Sequence, residues 1–323
     1  MMVPVWGARH TFGRDVMNGR AGARVTLCRD RGNAMLQTEA GTQVVSAADP
    51  AGRVDSYARP LRRRDKPSRY RRFQALQWPL GLLELCANFR AEEVRPGKRQ
   101  MCTLYPVWAL RYWWTACALM AHAQRCGGAC TVVDLGCNRG MMKRFVPFQD
   151  TLSWIGLDRN IEHSRLHAAN YQGLHECDFD DPLPLPDASA DIVIALHVFE
   201  HLQRPEFTIR QIQRILRPGG ILLAGSPVLP KPLAVLQEWR FRRQMETGRR
   251  HMRRHRHAFW PRRWVNLVHT AGLTTETLCG THFLRWTGFV LENYRWWIRL
   301  NQLWGALFPS LGSEIYLQAR RPS

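Results

Sequence analysis

The chain has 323 residues, 45% of them hydrophobic, and a formal net charge of +20. This length and apolar content favour a folded chain with a sizeable core over an intrinsically disordered one. No run reaches the roughly 18 apolar residues of a spanning helix, which argues against that kind of membrane protein. The charge favours an anionic partner, such as nucleic acid, an anionic membrane surface or a phosphorylated substrate, although a GC-rich codon bias toward arginine explains it equally well.

Cysteine usage and the first residues predict a compartment. The nine cysteines are scattered without a disulfide-like spacing, which is typical of free thiols in a reducing cytosol. The opening MMVPVWGARH lacks the apolar core of a signal peptide. We therefore expect a cytoplasmic protein, with peripheral contact at the inner membrane surface as a further expectation from the charge.

The first third of the chain divides into two predicted regions. Residues 1–75 show no sustained hydrophobic period and are rich in arginine, so a basic, disordered extension is predicted. Residues 76–125 form a predicted helical lead-in, whose strongest helix is Val107–Arg125. That helix is interpreted either as a packing element or as a lid over a ligand.

A glycine-rich turn follows the first predicted strand. The β-branched Thr131–Val133 favours a buried strand, and Asp134 places a carboxylate at its end. Gly136, Asn138 and Gly140 then occupy alternate positions, where positive φ and close backbone approach are tolerated. A helix beginning at Met141 completes a cradle that suits a nucleotide-like cofactor, although a glycine turn without a ligand is the alternative.

Acidic residues end the next two predicted strands. Asp158 follows strand 152–157, about 20 residues after the glycine turn, where a carboxylate can hold both ribose hydroxyls. A helix N-cap is the alternative role for this aspartate. Asp178 and Phe179 follow strand 174–177, where an acid can accept a hydrogen bond from an adenine amino group and a phenyl ring can cover the base.

The stretch HVFEHL, His197–Leu202, follows the fourth predicted strand, 191–196. It matches the inverted zinc-protease pattern H-x-x-E-H, which requires a helix that carries both histidines on one face. Here the stretch begins where a strand has just ended, so no metal site is predicted. His197 is instead expected at the carboxyl edge of the sheet, with Glu200 and His201 in the first turn of the next helix.

The sequence next predicts a helix over 209–216, the turn RPGG and a fifth strand over 221–225. In order and spacing, TVVDLGCNRG, LDRN, CDFDDPLPLP, HVFEHL and LRPGG resemble the motifs of class I S-adenosylmethionine-dependent methyltransferases, of the type 11 kind, over roughly residues 109–323. The resemblance implies a Rossmann-like α/β three-layer sandwich with a seven-stranded mixed sheet whose last strand is antiparallel. It also implies S-adenosyl-L-methionine as cofactor.

The resemblance assigns roles to individual residues. His197, followed by His201, is the candidate general base if the methyl acceptor is a hydroxyl. The residues implied to bind the cofactor are Asp134, Gly136, Cys137, Asn138, Gly140, Asp158, Arg159, Asp178, Phe179 and His197.

Residues 126–323 would form the methyltransferase domain, with two insertions. A basic insertion spans 231–263 and precedes a helix over 261–271. An aromatic-rich insertion spans 282–308, and its aromatics are assigned to core packing, to the cap of an apolar pocket or to a membrane interface. The remaining strands are predicted over 273–278 and 314–319. Six arginines of the basic insertion are expected to contact an anionic or amphipathic acceptor or an anionic membrane: Arg242, Arg243, Arg249, Arg250, Arg253 and Arg254.

Three functions are compatible with the sequence. The first is methyl transfer to a small-molecule, sugar or lipid-like acceptor. The second is methylation of RNA or another nucleic acid, which the charge supports, but HVFE stands where an Asn/Asp-Pro-Pro-aromatic motif is expected. The third is a non-catalytic protein that binds S-adenosylmethionine.

Overall fold

The computed structural model describes residues 26–30, 33–37, 70–84, 103–127, 129–146, 151–162, 171–247, 255–283 and 289–323. The chain divides into two units, Met1–Arg59 and Pro60–Ser323. In the first unit, Thr26–Asp30 pairs antiparallel with Asn33–Gln37. At these two strands the structure shows a β-hairpin, whereas the sequence predicts disorder over residues 1–75. For the positions outside the described residues it stays a prediction.

The second unit contains a seven-stranded mixed sheet. In spatial order its strands are β3-β2-β1-β4-β5-β7-β6. Strands β1 to β5 pair in parallel, whereas β7 lies antiparallel between β5 and β6. The fold class expected from the sequence is confirmed. The strands are β1 (Cys130–Leu135), β2 (Leu152–Asp158), β3 (Gly173–Glu176), β4 (Ala190–Leu196), β5 (Leu216–Pro227), β6 (Thr274–Gly280) and β7 (Glu314–Arg320).

Helices of two kinds connect and cover the strands. The α-helices are α1 (Leu110–Arg125), α2 (Met141–Arg144), α3 (Pro205–Ile215), α4 (Lys231–Glu246), α5 (Pro261–Thr270) and α6 (Arg295–Leu307). Short 3-10 helices cover Gln74–Gln77, Val107–Ala109, Phe199–His201 and Val290–Asn293. The predicted helix over 107–125 thus begins as a 3-10 turn and continues as α1.

Successive strand residues point to opposite faces of the sheet, and each face has its own core. On one face, Val132 and Ile192 pack with Trp113 of α1 and Ile298 of α6. On the other face lie the alternate positions Val133, Val193 and Ala195, together with side chains of α3 and α5, among them Ile209, Ile212, Trp264 and Val268. The result is the predicted helix–sheet–helix sandwich.

The segment before α1 is part of the first core. Trp78 lies with its ring centroid 5.8 Å from that of Trp113, whose indole N–H donates to the Pro79 carbonyl at 2.9 Å. Arg299 of α6 donates to the Trp78 carbonyl at 2.7 Å. Residues 70–84 therefore join α1 to α6. This part of the lead-in region is only partly helical, with turns over 74–77 and 81–84.

The junction between α3 and β5 differs from the expectation. The sequence predicts a turn over 217–220, but β5 begins at Leu216, directly after α3. Gly219 adopts a φ of +79°, and its N–H donates to the Arg321 carbonyl at 2.9 Å. Gly219, the residue with this positive φ, lies within the strand, near the point where the pairing with β4 shifts register between Ala190 and Ile192. Proline and glycines here produce a bulged strand start because the following chain supplies hydrogen-bond partners.

Among the residues that the structure describes, no helix combines the length and the apolar character needed to cross a membrane.

Candidate functional site

A cavity of 380 Å³ opens at the carboxyl ends of β1 and β4. In a parallel α/β sheet, ligands bind at this edge, in the crevice where the strand order reverses. Here β1 lies between β2 and β4, so the reversal falls beside β1. The cavity is lined by the end of β1, the glycine turn, the start of α2, the end of β4 and one turn of α1, with Asp134, Gly136, Cys137, Asn138, His197, Arg111 and Tyr112 among the lining residues.

The glycine turn has the backbone conformation that its composition predicts. Gly136, Asn138 and Gly140 have φ values of +73°, +43° and +69°. A Cβ on Gly136 would lie 3.0 Å from Cγ2 of Val198, so a side chain would be both strained and crowded there. The turn is fixed to the neighbouring strand because the N–H of Asn138 donates to Oδ2 of Asp158 at 2.9 Å.

Asp134 is a buried carboxyl at the end of β1, with 4% of the residue exposed. The hydroxyl of Tyr171 donates to its Oδ2 at 2.8 Å. Burial raises the pKa of Asp134 to about 7 and the negative charge of Asp158 adds to this, although the Tyr171 hydrogen bond opposes the rise. A cationic group in the cavity would favour the ionised form of this carboxyl.

Asp158 and Arg159 lie at the end of β2, and Asp178 follows the end of β3. Asp158 accepts hydrogen bonds from the N–H of Asn138 and, at 3.2 Å, from that of Asn160. The sequence leaves ribose binding and a helix N-cap as alternative roles for Asp158, and the bond from the Asn160 N–H, two residues along the chain, is of the N-cap kind. Arg159 forms an ion pair with Asp178. Although burial raises the pKa of Asp178, the hydrogen bonds from Arg159 and from the Asp180 N–H lower it below its usual range.

Phe179 packs into the core on the α3 side of the sheet, and only 6% of it is exposed. Its carbonyl accepts a hydrogen bond from the Thr208 hydroxyl at 2.8 Å. The ring is therefore held among side chains such as Leu157. The role assigned to it from the sequence, covering an adenine ring, stays a prediction.

His197 lies directly after β4 with a φ of +57°, a conformation that is uncommon for a residue other than glycine. Its Nδ1 lies 3.1 Å from Oε1 of Glu200, and its Nε2 lies 3.4 Å from Oε1 of Glu314. Burial alone would lower the pKa of His197, but the two carboxylates outweigh it and raise the pKa above its ordinary value. Among the described residues, Nε2 has no hydrogen-bond partner of good geometry.

Glu314 is the first residue of β7 and is 2% exposed. Its Oε1 pairs with Arg111 of α1, and its Oε2 accepts a hydrogen bond from the Tyr316 hydroxyl at 3.1 Å. Burial raises the pKa of this carboxyl, but His197, Arg111 and His282 together lower it to about 2. A buried, ionised carboxylate therefore faces the histidine of the cavity.

His201, the second candidate base, is placed differently from His197. It ends the 3-10 helix Phe199–His201, whereas α3 begins only at Pro205. The sequence predicts Glu200 and His201 in the first turn of the next helix, and they lie in this short 3-10 helix, which ends before Pro205 starts α3. The His201 ring lies 4.8 Å from that of His255, between centroids, and is not among the residues that line the cavity.

Sequence reasoning missed three residues of this site. Tyr171 and Arg111 lie outside every motif, and neither carries a local signal of its role. Glu314 had a usable signal, since an acid begins the apolar strand EIYLQA. An antiparallel last strand starts at the carboxyl edge of the parallel strands, so its first side chain lies near the ligand cavity. The register places Glu314 opposite Pro227, at the end of β5.

Of the two insertions, the first is described in part. Arg242 and Arg243 lie on α4, whereas Arg249, Arg250, Arg253 and Arg254 lie outside the described residues. In the second, the core-packing assignment holds for Trp297 and Phe283, whose rings meet at 5.6 Å between centroids. Trp296, by contrast, is 55% exposed.

Comparisons with known proteins show what this chain is similar to. A family model described as a methyltransferase domain matches residues 70–278. A probable S-adenosylmethionine-dependent methyltransferase of Mycolicibacterium smegmatis is 33% identical over 108 residues, which are 32% of this chain and 40% of that protein. The 27-O-demethylrifamycin SV methyltransferase of Amycolatopsis mediterranei is 32% identical over 112 residues, 31% of this chain and 40% of that protein. The matched region thus spans less than half of either relative.

A solved structure is also similar. It is an S-adenosylmethionine-dependent methyltransferase from Mesorhizobium loti, with 16% sequence identity and a TM-score of 0.47, and the likeness covers 65% of this chain and 98% of that one.

Proposed function

The chain belongs to the S-adenosylmethionine-dependent methyltransferases, and from that membership we propose that it moves the methyl group of S-adenosyl-L-methionine to a small-molecule, sugar or lipid-like acceptor by in-line displacement. The observation that carries the proposal is the shared cavity: Asp134, the glycine turn and His197 line one space at the carboxyl edge of the sheet. A group that binds the cofactor and a group that can accept a proton therefore lie side by side.

The residues around the cavity fit this cofactor. The buried carboxyl of Asp134 suits the positively charged amino group of a methionine moiety, since pairing favours its ionised form. The positive φ values of Gly136 and Gly140 leave the backbone free of side chains on the approach. Asp158 would hold the ribose hydroxyls, and Asp178, fixed by Arg159, would hold the adenine amino group. Cys137 and Asn138 complete the turn.

When bound, S-adenosyl-L-methionine supplies a methyl group already activated by its sulfonium. The chain's own contribution is to position the acceptor, exclude water and remove a proton where the acceptor is a hydroxyl. His197 is the imidazole of the cavity lining. Its two ring nitrogens face the carboxylates of Glu200 and Glu314, which would stabilise the protonated ring that forms when His197 takes the acceptor's proton. His201 is the weaker candidate, since it lies outside the cavity lining.

Two exposed helix faces support an amphipathic acceptor or peripheral contact with an anionic membrane. On α4, Leu233, Leu236 and Trp239 are 53%, 43% and 53% exposed, and the Arg243 guanidinium lies 5.4 Å from the Trp239 ring centroid. On α6, Trp296 and Leu300 are exposed at helical spacing. Apolar side chains beside arginines suit a molecule with an apolar body and an anionic group. The relative named for 27-O-demethylrifamycin SV also supports a small-molecule acceptor.

Nucleic-acid methylation is the second candidate, and the net charge of +20 favours it. A screen for methyl acceptors separates the candidates. Radiolabelled S-adenosylmethionine is incubated with the full chain and with lipid, sugar, small-molecule and RNA fractions. Label is expected in the lipid, sugar or small-molecule fraction. Label in RNA alone would overturn the acceptor class, and cofactor binding in calorimetry without label in any fraction would favour a non-catalytic binding protein.

A substitution tests the role of His197. His197→Asn is expected to lower kcat by about 100-fold or more, the usual contribution of a general base, while the Kd for the cofactor changes little. His175→Asn on β3 is the matched control, because that histidine is absent from the cavity lining. Unchanged kcat would remove the base from the mechanism, and a loss confined to cofactor affinity would make His197 a binding residue.

A further inference from the structure

Three side chains outside the cavity lining come together beside it. Glu200 and His201 lie in the 3-10 helix that follows β4, and His255 lies in the segment before α5. One donor atom from each residue, a carboxylate oxygen and two imidazole nitrogens, lies within 4.8 Å of the other two. The chain brings them together because the N–H groups of Arg256 and His257 both donate to the Glu200 carbonyl, at 2.6 and 3.2 Å.

The environment of Glu200 is a second, independent indication that this cluster binds a ligand. The residue is 1% exposed, and among the described residues neither of its carboxylate oxygens accepts a hydrogen bond of good geometry. Its Oε1 has the ion-pair contact with His197 at 3.1 Å. A carboxylate removed from water without hydrogen bonds is costly unless a cation or another donor compensates it. The polar partner that would satisfy the second oxygen is therefore missing from the described protein groups.

We propose that Glu200, His201 and His255 form a binding site for a divalent transition-metal ion such as Zn²⁺. Two imidazoles and one carboxylate are a donor set that such ions take in proteins, with one or more positions left for water or substrate. The half-buried histidines provide access from solvent, and the buried carboxylate provides the charge.

The site uses different residues from those that the H-x-x-E-H pattern would pair. His197, the first histidine of the pattern, lies after β4 and faces Glu200 and Glu314, so it is not a member of the cluster. His255 takes its place from a different part of the chain. The sequence predicts no metal site because one helix would have to carry both histidines of the pattern, whereas these three side chains come from two separate segments.

Arg256, the residue next to His255 in the chain, belongs to a different cavity. Arg256 lines a separate cavity with His257, Glu238 and Arg263, and none of the three cluster residues belongs to its lining. In that cavity, Glu238 pairs with Arg263 and lies 3.3 Å from Nδ1 of His257. His257 is therefore held away from the metal donors and provides a control in the same segment.

The test is metal binding by the full, untagged chain, and it requires no methyl acceptor. After dialysis against a chelator, Zn²⁺ alone is titrated in a calorimeter, and Co²⁺ is titrated alone with its visible absorption as a coordination signal. One equivalent is expected to bind. His201→Gln and His255→Gln, each half-buried, are each expected to weaken binding at least tenfold and to remove the Co²⁺ absorption. His257→Gln and His175→Gln should leave both unchanged.

Folding is checked on every variant by its thermal transition. Glu200→Gln should also weaken binding, and it is compared only where its thermal transition matches that of the parent, because replacing a buried residue can itself destabilise the chain. Absence of a bound equivalent in the parent chain would overturn the proposal. So would binding that His201→Gln and His255→Gln leave intact, since the ion would then be held elsewhere.

Discussion

Oε1 of Glu314 lies 3.4 Å from Nε2 of His197, and the two residues belong to strands that are not neighbours in the sheet. His197 ends β4, whereas Glu314 begins β7, and β5 separates the two strands. The antiparallel direction of β7 brings its first residue to the edge where the parallel strands end. A carboxylate that lies more than 100 residues after His197 in the chain thereby reaches the cavity.

Glu314→Gln is expected to destabilise the protein by about 3–5 kcal/mol, the usual cost of leaving one partner of a buried ion pair alone, here Arg111. The double variant Arg111→Met with Glu314→Gln should recover part of this loss, because no unpaired charge is left. Urea unfolding of the parent, of the single variants Glu314→Gln and Arg111→Met, and of the double variant measures both values. A loss as large in the double variant as the two single losses combined would contradict the pairing.

The stability of the parent chain should also fall in acid because of Glu314. Its pKa is lowered to about 2, so its contribution is present above the pKa of an unfolded glutamate, about 4.3, and is lost as the pH falls toward 2. Between pH 6 and 3 the parent should therefore lose more unfolding free energy than Glu314→Gln does. Parallel slopes for the two chains would show that Glu314 is not ionised in the fold.

The raised pKa of Asp134 predicts that cofactor binding releases a proton. Its pKa of about 7 leaves the carboxyl largely protonated at pH 6, and a bound ammonium group would favour ionisation. Binding of S-adenosylmethionine at pH 6 should therefore release a proton, and affinity should rise with pH up to about 7. Calorimetry in two buffers of different ionisation enthalpy measures the release. Asp134→Asn should abolish it, and release that persists in this variant would assign the proton to another group.

Asp158→Ala is expected to weaken cofactor binding by about 1.5–3 kcal/mol, the scale of hydrogen bonds to a charged group. Because Asp158 also accepts from the Asn138 N–H, the alanine variant alone does not separate ribose binding from support of the glycine turn. Asp158→Asn keeps an acceptor for Asn138 but has one carbonyl oxygen. A loss of affinity in both variants indicates ribose binding, and a loss in the alanine variant only indicates support of the turn.

Arg242 and Arg243 are expected to contribute to acceptor binding. Replacing both with glutamine should raise the acceptor KM and leave cofactor affinity nearly unchanged, because arginine contacts with anions are electrostatic. The parent KM should also rise with salt, since salt screens such contacts. Arg210→Gln with Arg262→Gln, two exposed arginines on α3 and α5, is the matched control. If neither salt nor the α4 substitutions change KM, this part of α4 is only a solvated surface.

The segment before α1 predicts a graded effect of truncation. A chain that starts at Tyr70 should keep the parent melting temperature, and one that starts near Leu76 should still fold and bind cofactor. A chain that starts at residue 85 loses Leu83, which is fully buried, and also loses Trp78 with its hydrogen bond from Arg299. Each buried apolar side chain contributes about 1.5–3 kcal/mol, so its melting temperature should fall clearly. Thermal scans of the three chains measure this, and an unchanged transition in the shortest would make the segment dispensable.

The sequence predicts those parts of the fold whose signals are local. The strand and glycine turn over 131–140 and the strand over 152–157 carry their own residue patterns, and the structure places both as expected. Asp134 and His197 could also be named, because a strand end is visible in the sequence. The partners of His197 could not all be named. Glu314 reaches it through the direction of β7, and His255 reaches Glu200 through hydrogen bonds to a backbone carbonyl, so both depend on contacts between distant segments.

The position of β7 has a consequence for how the protein is made. Synthesis runs from β1 toward β7, yet β7 lies between β5 and β6. Until residues 314–320 leave the ribosome, β5 has one open edge and β6 has no partner in the sheet. Exposed strand edges of this kind readily pair with other chains. A larger fraction of a chain that stops before residue 314 than of the full chain should therefore enter inclusion bodies during expression, which fractionation of the lysate measures.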